Sequence, residues 1–367
     1  MDILFITSRH PPFDPRIYHK MFCSIKKAVG DVKILLPNQV NLSKNNNDFI
    51  SFDGHEGSWS SLFNNLIILK RCFSLRPKVI FFFDPDLLPF MELYKLLSNT
   101  SIVYDNHEDY QSYIMMKETI PVWIRKLVRV LYVIFFKFGK WTFDYITYAD
   151  PFTSGIDLQK LNEEVIYNYP IIEYYPEQEK KYDLIYPGSI DLSVCQRLLL
   201  IAEELDKTCQ KKLNFLIIGR DVSDVNKELI KEFNLNHKNV SIIFKEDLSY
   251  DSVQEYISQS KIGLIPLPSV DKFSRNIPIK LFEYLMHSIP ILASDLRPIS
   301  YFLNETEGNF CIEEEKFYQS YSEKVLEILN NYSNYSGAAK RNLKILEEKW
   351  NWNKTEERKL LEIIQTL

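Results

Sequence analysis

Short, unbroken apolar runs recur along the first half of the chain, at 3–7, 32–36, 79–83, 101–104, 145–148 and 164–167. They are not alternating, which is the pattern of parallel strands covered on both faces. Longer amphipathic stretches lie between them, for example at 16–29 and 87–97. This alternation predicts an α/β fold built on a doubly wound parallel sheet. The rhythm breaks at 169–181, where Pro170 and Pro176 are followed by Glu177, Glu179, Lys180 and Lys181, the composition of an interdomain linker. It then restarts, with strands expected at 183–186, 214–218, 240–244, 262–265 and 289–293. Helices are expected at 194–207, 224–233, 252–259 and 279–286, and 317–367 reads as helical throughout. The expected layout is a Rossmann-like domain at 1–170, a linker at 171–182, a second Rossmann-like domain at 183–345, and a C-terminal helix at 346–367 packing back on the first domain. Two such domains facing across a cleft make a natural ligand site, because strand C-termini and helix N-termini border the gap.

One helical stretch stands apart. Residues 122–143 carry Trp123, Leu127, Leu131, Ile134, Phe138 and Trp141 at helical spacing, with Arg125, Lys126, Arg129, Lys137 and Lys140 among them. Its longest apolar run, 130–136, is far short of the roughly 20 residues that span a bilayer. Two uses fit. The helix lies on an anionic membrane surface, or it packs its apolar face on the sheet and leaves the basic face in water, the commoner use in such folds.

Composition narrows the function. The chain has 367 residues, 46% hydrophobic and 25% charged, which is globular and long enough for about two domains. A net charge of −5 argues against a nucleic-acid protein held by bulk positive charge. Cys23, Cys72, Cys195, Cys209 and Cys311 form no CxxC pair, so neither a zinc ribbon nor a disulfide framework is supported, and a reducing cytoplasm is the expected compartment. The N-terminus lacks the basic and long apolar regions of a signal peptide. No GxGxxG or GxxxxGK[ST] loop occurs.

The densest chemical signal is Arg275-Asn276-Ile277-Pro278-Ile279-Lys280-Leu281-Phe282-Glu283-Tyr284-Leu285, followed by Ile289-Pro290-Ile291-Leu292-Ala293-Ser294-Asp295. Pro278 is expected in the first turn of a helix, where its missing N–H costs nothing. The open amides of that turn would hold an anion such as a diphosphate. Glu283, about one turn further on, can accept two hydrogen bonds from a vicinal diol such as a ribose.

That segment resembles the donor-binding region of the family 4 (group 1) glycosyltransferases, which have the GT-B fold of two Rossmann-like domains. Further motifs follow in the family's order. His10-Pro11-Pro12-Phe13-Asp14-Pro15-Arg16-Ile17 resembles its first loop. Phe83-Asp84-Pro85-Asp86-Leu87-Leu88-Pro89 and Tyr104-Asp105-Asn106-His107-Glu108-Asp109-Tyr110 resemble signatures of a bacterial envelope-polysaccharide subgroup, and Asn168-Tyr169-Pro170 resembles the end of the N-terminal domain. The resemblance implies a retaining glycosyltransferase. It would move a sugar from a UDP- or GDP-linked donor to a lipid-linked or polysaccharide acceptor in cell-envelope glycan synthesis, without a metal cofactor. It would work in the cytoplasm or peripherally on the inner face of the plasma membrane, with membrane contact through 122–143. Arg275, Asn276, Pro278, Lys280, Leu281, Phe282 and Glu283 would bind the donor, with Gly188, Ser189 and Gly219 at strand ends. Pro12, Arg16 and Glu108 would line the acceptor or diphosphate region, and His107 would sit beside the transferred sugar.

The chain departs from the family at its cations. Where members carry an Arg or Lys after the glycine ending the first strand of the second domain, and another shortly after, this chain has Ser189 and Val194. The first acid of the family's two-glutamate motif would fall at Arg275. Arg220 is the expected substitute in catalysis, with Arg197, Arg275 and Lys280 as other candidates. The missing pair leaves room for a catalytically silent binding partner, and the scaffold for a nucleotide-sugar epimerase. Asp84-Pro85-Asp86 also reads as a DxD metal motif, but its position at a helix start favours capping or loop structure.

Overall fold

Why the chain folds as it does is clearest in its strands. The structure, a computed structural model, describes residues 2–37, 47–55, 60–116, 120–153, 156, 160–220, 222–271 and 273–367. The chain divides into two units, one formed by Met1–Asn168 with Trp352–Leu367 and the other by Tyr169–Asn351.

In the first unit, β1 (Ile3–Ile6) leads through a wide helical turn (Pro15–Phe22) into α1 (Cys23–Val29). Asp14 caps that turn, its carboxylate accepting from the amides of Arg16 and Ile17 at 2.9 Å each, with Pro15 in the opening position. Then come β2 (Val32–Pro37), β3 (Phe49–Phe52), α2 (Ser60–Leu75), β4 (Val79–Phe82), a 3₁₀ turn (Pro85–Leu87) and α3 (Leu88–Leu97). They are followed by β5 (Ser101–Asn106), α4 (Tyr110–Met116), α5 (Val122–Thr142), β6 (Tyr145–Tyr148) and β7 (Glu163–Val165). The seven strands are all parallel, in the order β3-β2-β1-β4-β5-β6-β7. All residues of β1 and β4 are buried, and Phe5 stacks on Phe81 across the pair at 5.0 Å. Burying each such ring from water contributes about 1.5–3 kcal/mol.

The second unit repeats the plan with β8 (Tyr182–Pro187), α6 (Leu192–Thr208), β9 (Leu213–Gly219), α7 (Asp224–Asn236), β10 (Val240–Glu246), α8 (Tyr250–Ser258) and β11 (Ser260–Ile265). It continues with α9 (Lys280–Met286), β12 (Ile291–Ser294), α10 (Arg297–Leu303), β13 (Phe310–Ile312), α11 (Phe317–Asn330) and α12 (Tyr332–Lys349). Its six strands are also parallel, ordered β10-β9-β8-β11-β12-β13. Side-chain oxygens start three of its helices: Asp191 accepts from Val194 N, Ser223 from Asn226 N and Ser249 from Ser252 N.

The chain then returns to the first unit through a second wide turn (Trp352–Glu356) and α13 (Glu357–Thr366). Trp352 is fully buried and its indole N–H donates to Ser24 Oγ at 3.0 Å. The buried Glu356 carboxylate accepts from Tyr167 N at 2.8 Å. These bonds satisfy polar groups that would otherwise be costly to bury.

Both sheets have Rossmann order, with the order of the strands reversing beside the first strand of each unit. Those reversals lie at the ends of β1 and β4 in one unit and of β8 and β11 in the other. Five elements were not expected from the sequence: β3, α2, α4, α10 and β13.

The largest departure is α5. Only Tyr132, Phe136 and Gly139 of this helix are buried. Trp123, Leu127, Leu131, Ile134, Phe138 and Trp141 are all exposed, Trp123 by 69% and Trp141 by 85%. Packing of that apolar face on the sheet, the commoner use expected above, is therefore overturned. The helix turns a narrow aromatic strip inward, with Tyr132 stacked on Phe136 at 5.7 Å.

Candidate functional site

Each unit presents a constellation at its own strand reversal. In the first unit, Asp84 lies just past β4 and is buried. Its Oδ2 accepts from Thr7 Oγ1 at 2.8 Å and from Ser8 N at 2.7 Å, tying the end of β4 to the loop after β1. Asp84 stands at the helix start but makes no capping bond there. Asp86 accepts from Ser8 Oγ at 3.3 Å, from Asn65 Nδ2 at 3.0 Å and from Ser61 Oγ, and pairs with Arg9 at 3.3 Å. The two aspartates are loop structure. Among the described residues no group of three or more His, Cys, Asp or Glu could hold a metal ion.

Arg16 is buried and forks onto Asp105, Nε to Oδ2 at 2.8 Å and Nη2 to Oδ1 at 2.7 Å, while Nη1 donates to Ile166 O at 2.8 Å. Asp105 also accepts from Thr147 Oγ1 at 2.6 Å. Burial disfavours the Asp105 charge, but Arg16 outweighs it and holds the carboxyl below the usual carboxylate range. The expectation that Arg16 lines a ligand site is thus corrected: the guanidinium is consumed inside the unit. Pro12 is buried too, and Glu108 is half-buried.

His107 follows β5 and is mostly covered. Its Nδ1 lies 3.2 Å from Asp105 O and 3.6 Å from Asp105 Oδ2. Both oxygens only accept, so we assign the proton to Nδ1 and a lone pair to Nε2. The His10 ring stands 4.9 Å away. His10 reaches Asp14 at 3.7 Å and Asp84 at 3.5 Å. Burial opposes its charge, but Asp14, Asp84 and Glu108 prevail and its pKa is raised. Asp14 falls to about 2, with burial outweighed by His10 and the Ile17 amide. Sequence reading quoted His10 only as part of a loop and gave it no role. Asp14 lies in that same loop four residues on, whereas Asp84 comes from the loop after β4, which no local pattern shows.

In the second unit, β8 is followed by Gly188, whose φ of +144° favours glycine. A Cβ there would stand 2.6 Å from Lys280 Nζ. Lys280 therefore closes against the strand reversal, with its ammonium 3.7 Å from the centre of the Tyr186 ring. Burial brings its pKa down to about 7, against a raising influence from Glu283. No hydrogen bond or ion pair holds Lys280 among the described residues. One of the candidate cations is thus delivered to the strand end where Ser189 is exposed and uncharged.

Glu283 is half-buried on α9, with Gln254 Nε2 at 3.3 Å from Oε1. Asn276, also half-buried, has an Oδ1 that is buried without a hydrogen-bond partner among the described residues. Such an orphan acceptor suits a ligand's N–H or O–H. Arg275 is half-buried.

Several expected site residues have other work. Pro278 precedes α9 rather than sitting in its first turn, and its carbonyl accepts from Leu281 N at 3.1 Å. The amides of Phe282 and Glu283 are taken by Ile279 O, so the turn does not offer the row of open donors expected for a diphosphate. Leu281 is fully buried. Phe282 is buried against Tyr169 at 5.3 Å and Phe302 at 5.2 Å. Both are core residues, not ligand contacts. Gly219 is buried, and a Cβ there would meet Val222 at 2.3 Å and Ile190 at 2.8 Å. Arg197 is buried, bonded to Pro266 O at 3.0 Å and forked onto Glu314 at 2.6 and 3.1 Å, which removes it as a phosphate ligand. Arg220 is exposed just past β9, without an ion-pair partner among the described residues.

Residues 181–331 match the family model described as glycosyl transferases group 1. No curated protein sequence matches the chain. Among solved structures, Anabaena HepE in complex with UDP and glucose is 12% identical with a TM-score of 0.71, and all of each chain is covered. The E. coli structure described as trehalose-6-phosphate bound with UDP-2-fluoro glucose is 14% identical with a TM-score of 0.73, again over all of both chains. Sucrose-phosphate synthase from Thermosynechococcus elongatus is 10% identical with a TM-score of 0.72, covering all of this chain and 98% of that one. These likenesses are of fold. Two Rossmann-like α/β domains of GT-B type are present, and the family match on the second indicates a glycosyltransferase.

Proposed function

We propose that the protein is a retaining glycosyltransferase using a UDP- or GDP-linked sugar, with a lipid-linked or polysaccharide acceptor in envelope glycan synthesis. The observation that carries this reading is Lys280, seated against Gly188 with no anion of its own. Glu283 lies one helical turn further on and is placed for a ribose diol. Asn276 adds an open acceptor. In the reaction the bond from the sugar's anomeric carbon to the diphosphate oxygen breaks, and a bond to an acceptor hydroxyl oxygen forms on the same face. The hydroxyl proton leaves with the diphosphate. Lys280, with Arg220 as a second cation, steadies the charge that develops on the departing diphosphate, so no metal is required. His107 Nε2, carrying a lone pair, accepts from a sugar hydroxyl. Replacing Glu283 by Ala is expected to weaken nucleotide-sugar binding about tenfold or more by calorimetry. Unchanged affinity would overturn the donor assignment. Tight binding with no transfer or hydrolysis in any donor and acceptor mixture would leave a binding partner instead of an enzyme.

A second part of the reading concerns α5. No helix among the described residues is long and apolar enough to cross a membrane. The helix carries Arg125, Lys126, Arg129 and Lys137 and no acid, beside its exposed Trp, Leu, Ile and Phe. Apolar insertion with basic flanks suits an anionic lipid surface, and peripheral attachment would bring the protein to a lipid-linked acceptor. Co-sedimentation with vesicles containing phosphatidylglycerol, lost with phosphatidylcholine alone and in Trp123→Ser/Trp141→Ser, is the expected result. Dimerisation through this face without lipid binding would overturn it.

A further inference from the structure

Behind Glu283 lies a polar chain that the sequence motif does not include. Gln254 on α8 is wholly buried. Its Nε2 is 3.3 Å from Glu283 Oε1, and its Oε1 is 2.9 Å from His287 Nε2. An ionised carboxylate only accepts, so the amide NH₂ must face Glu283 and the amide oxygen must face the imidazole. The oxygen in turn needs a donor, so His287 carries its proton on Nε2. The ring is neutral: burial, helped by the charge of Lys180, brings its pKa down to about 4. A neutral imidazole has one N–H, and here Gln254 takes it. His287 is itself fixed. Its backbone N–H donates to Glu283 O at 3.2 Å, and the Tyr175 ring lies 4.4 Å from its own. The order His287 to Gln254 to Glu283 therefore has one direction of donation, set by the acid at its end.

We propose that Gln254 and His287 are positioning residues that orient the Glu283 carboxylate toward a nucleotide ribose. The inference rests on the reading of Glu283 as the group that holds the diol. Buried polar chains of this kind restrict rotamers only when every link is made. Removing the far link should let Gln254 turn and should loosen Glu283 without touching the nucleotide. Glu283 contributes through both the presence and the aim of its carboxylate, and the chain governs the aim.

The test uses the full chain and whichever of UDP and GDP the wild-type protein binds more tightly, each against its 2′-deoxy counterpart. The wild type should prefer the ribonucleotide about tenfold, the worth of one hydrogen bond to a charged group. His287→Phe keeps the ring under Tyr175 but removes the donor, and should lose most of that preference. His287→Gln, which restores a donating amide, should recover it. Gln254→Met should lose it as His287→Phe does, and it decides the matter if a His287 variant does not unfold cooperatively. A structural role alone would lower the melting temperature without changing the ratio of ribo to deoxy affinity, or without rescue by Gln. A full preference in both His287→Phe and Gln254→Met would overturn the proposal while leaving Glu283 in place. Absence of a preference in the wild type, or no binding of either nucleotide, would overturn the reading of Glu283 itself.

Discussion

The two strand reversals share one frame and treat charge in opposite ways. At the first unit's reversal the charges described above are answered inside the unit. Arg16 and Asp105 form a buried fork, Asp84 and Asp86 are saturated by hydroxyls and amides, and His10 stands between Asp14 and Asp84. In the second unit the ammonium of Lys280 is pressed between an aromatic ring and a glycine, and burial has drawn its pKa to about 7. A satisfied network holds loops in place, whereas an uncompensated cation is costly until an anion arrives. One reversal is closed by its own bonds, and the other leaves a half-buried cation without an ion pair among the described residues.

The sharpest way to break this contrast is at Arg16. Arg16→Met leaves the Asp105 carboxylate buried beside Thr147 without its cation. Losing one partner of a buried pair costs about 3–5 kcal/mol, and urea unfolding should show it. Arg16→Lys should recover little, because a single ammonium cannot reproduce the fork and the bond to Ile166 O. A loss within about 0.5 kcal/mol, the range of ordinary surface substitutions, would mean that the first unit's charges are not structural.

Lys280→Met should do the reverse. Nucleoside diphosphate affinity should fall about tenfold to a hundredfold, while the ligand-free protein becomes more stable at pH 6. The sign follows from linkage. Between about 7 and the ordinary value of 10.5 the folded protein binds fewer protons at Lys280 than the unfolded chain does. Wild-type stability from this group therefore rises with pH over that window, and the penalty is fully present below it. Affinity has the opposite slope. The charged form predominates below about 7, so diphosphate binding should weaken as pH rises from 6 to 8. In Lys280→Met that dependence should flatten. Calorimetry at several pH values and melting curves without nucleotide check both slopes.

How far these features were legible in the sequence follows from the same physics. Strands buried on both faces, such as β1 and β4, announce themselves as unbroken apolar runs. The edge strand β3 does not, because three of its four residues are only partly covered or exposed and Ser51 interrupts it. Likewise α2 hides Asn64 and Asn65 among its buried positions, which blurs its apolar stripe. Within the segment 275–285 the motif mixes two purposes at helical spacing. Lys280 and Glu283 are only partly covered, whereas Leu281 and Phe282 fill the core. Arg16 in a loop motif reads as a ligand contact until its distant partner is known. Gln254 gives no signal at all, since a glutamine in an ordinary helix has no pattern and its meaning comes from α9. Local motifs therefore locate a site but do not divide its residues between binding and support.

The smallest effect, and the finest test of the contrast, lies at His10. The folded His10 pKa is raised and that of Asp14 is lowered to about 2. The histidine contributes fully below its ordinary 6.5, and loses this as pH rises through its folded value. The aspartate contributes above its ordinary 3.8, and loses this as pH falls toward about 2. The pair is therefore worth most between those ordinary values and fades on either side. His10→Gln keeps a polar side chain of similar reach but cannot take the charge, so it should cost on the order of 1 kcal/mol at pH 5 and less at pH 8. The comparison of the two pH values in urea unfolding separates charge from packing. A cost equal at both would assign His10 to shape alone, and the first unit would then owe its rigidity to Arg16, Asp84 and Asp105 without the imidazole's charge.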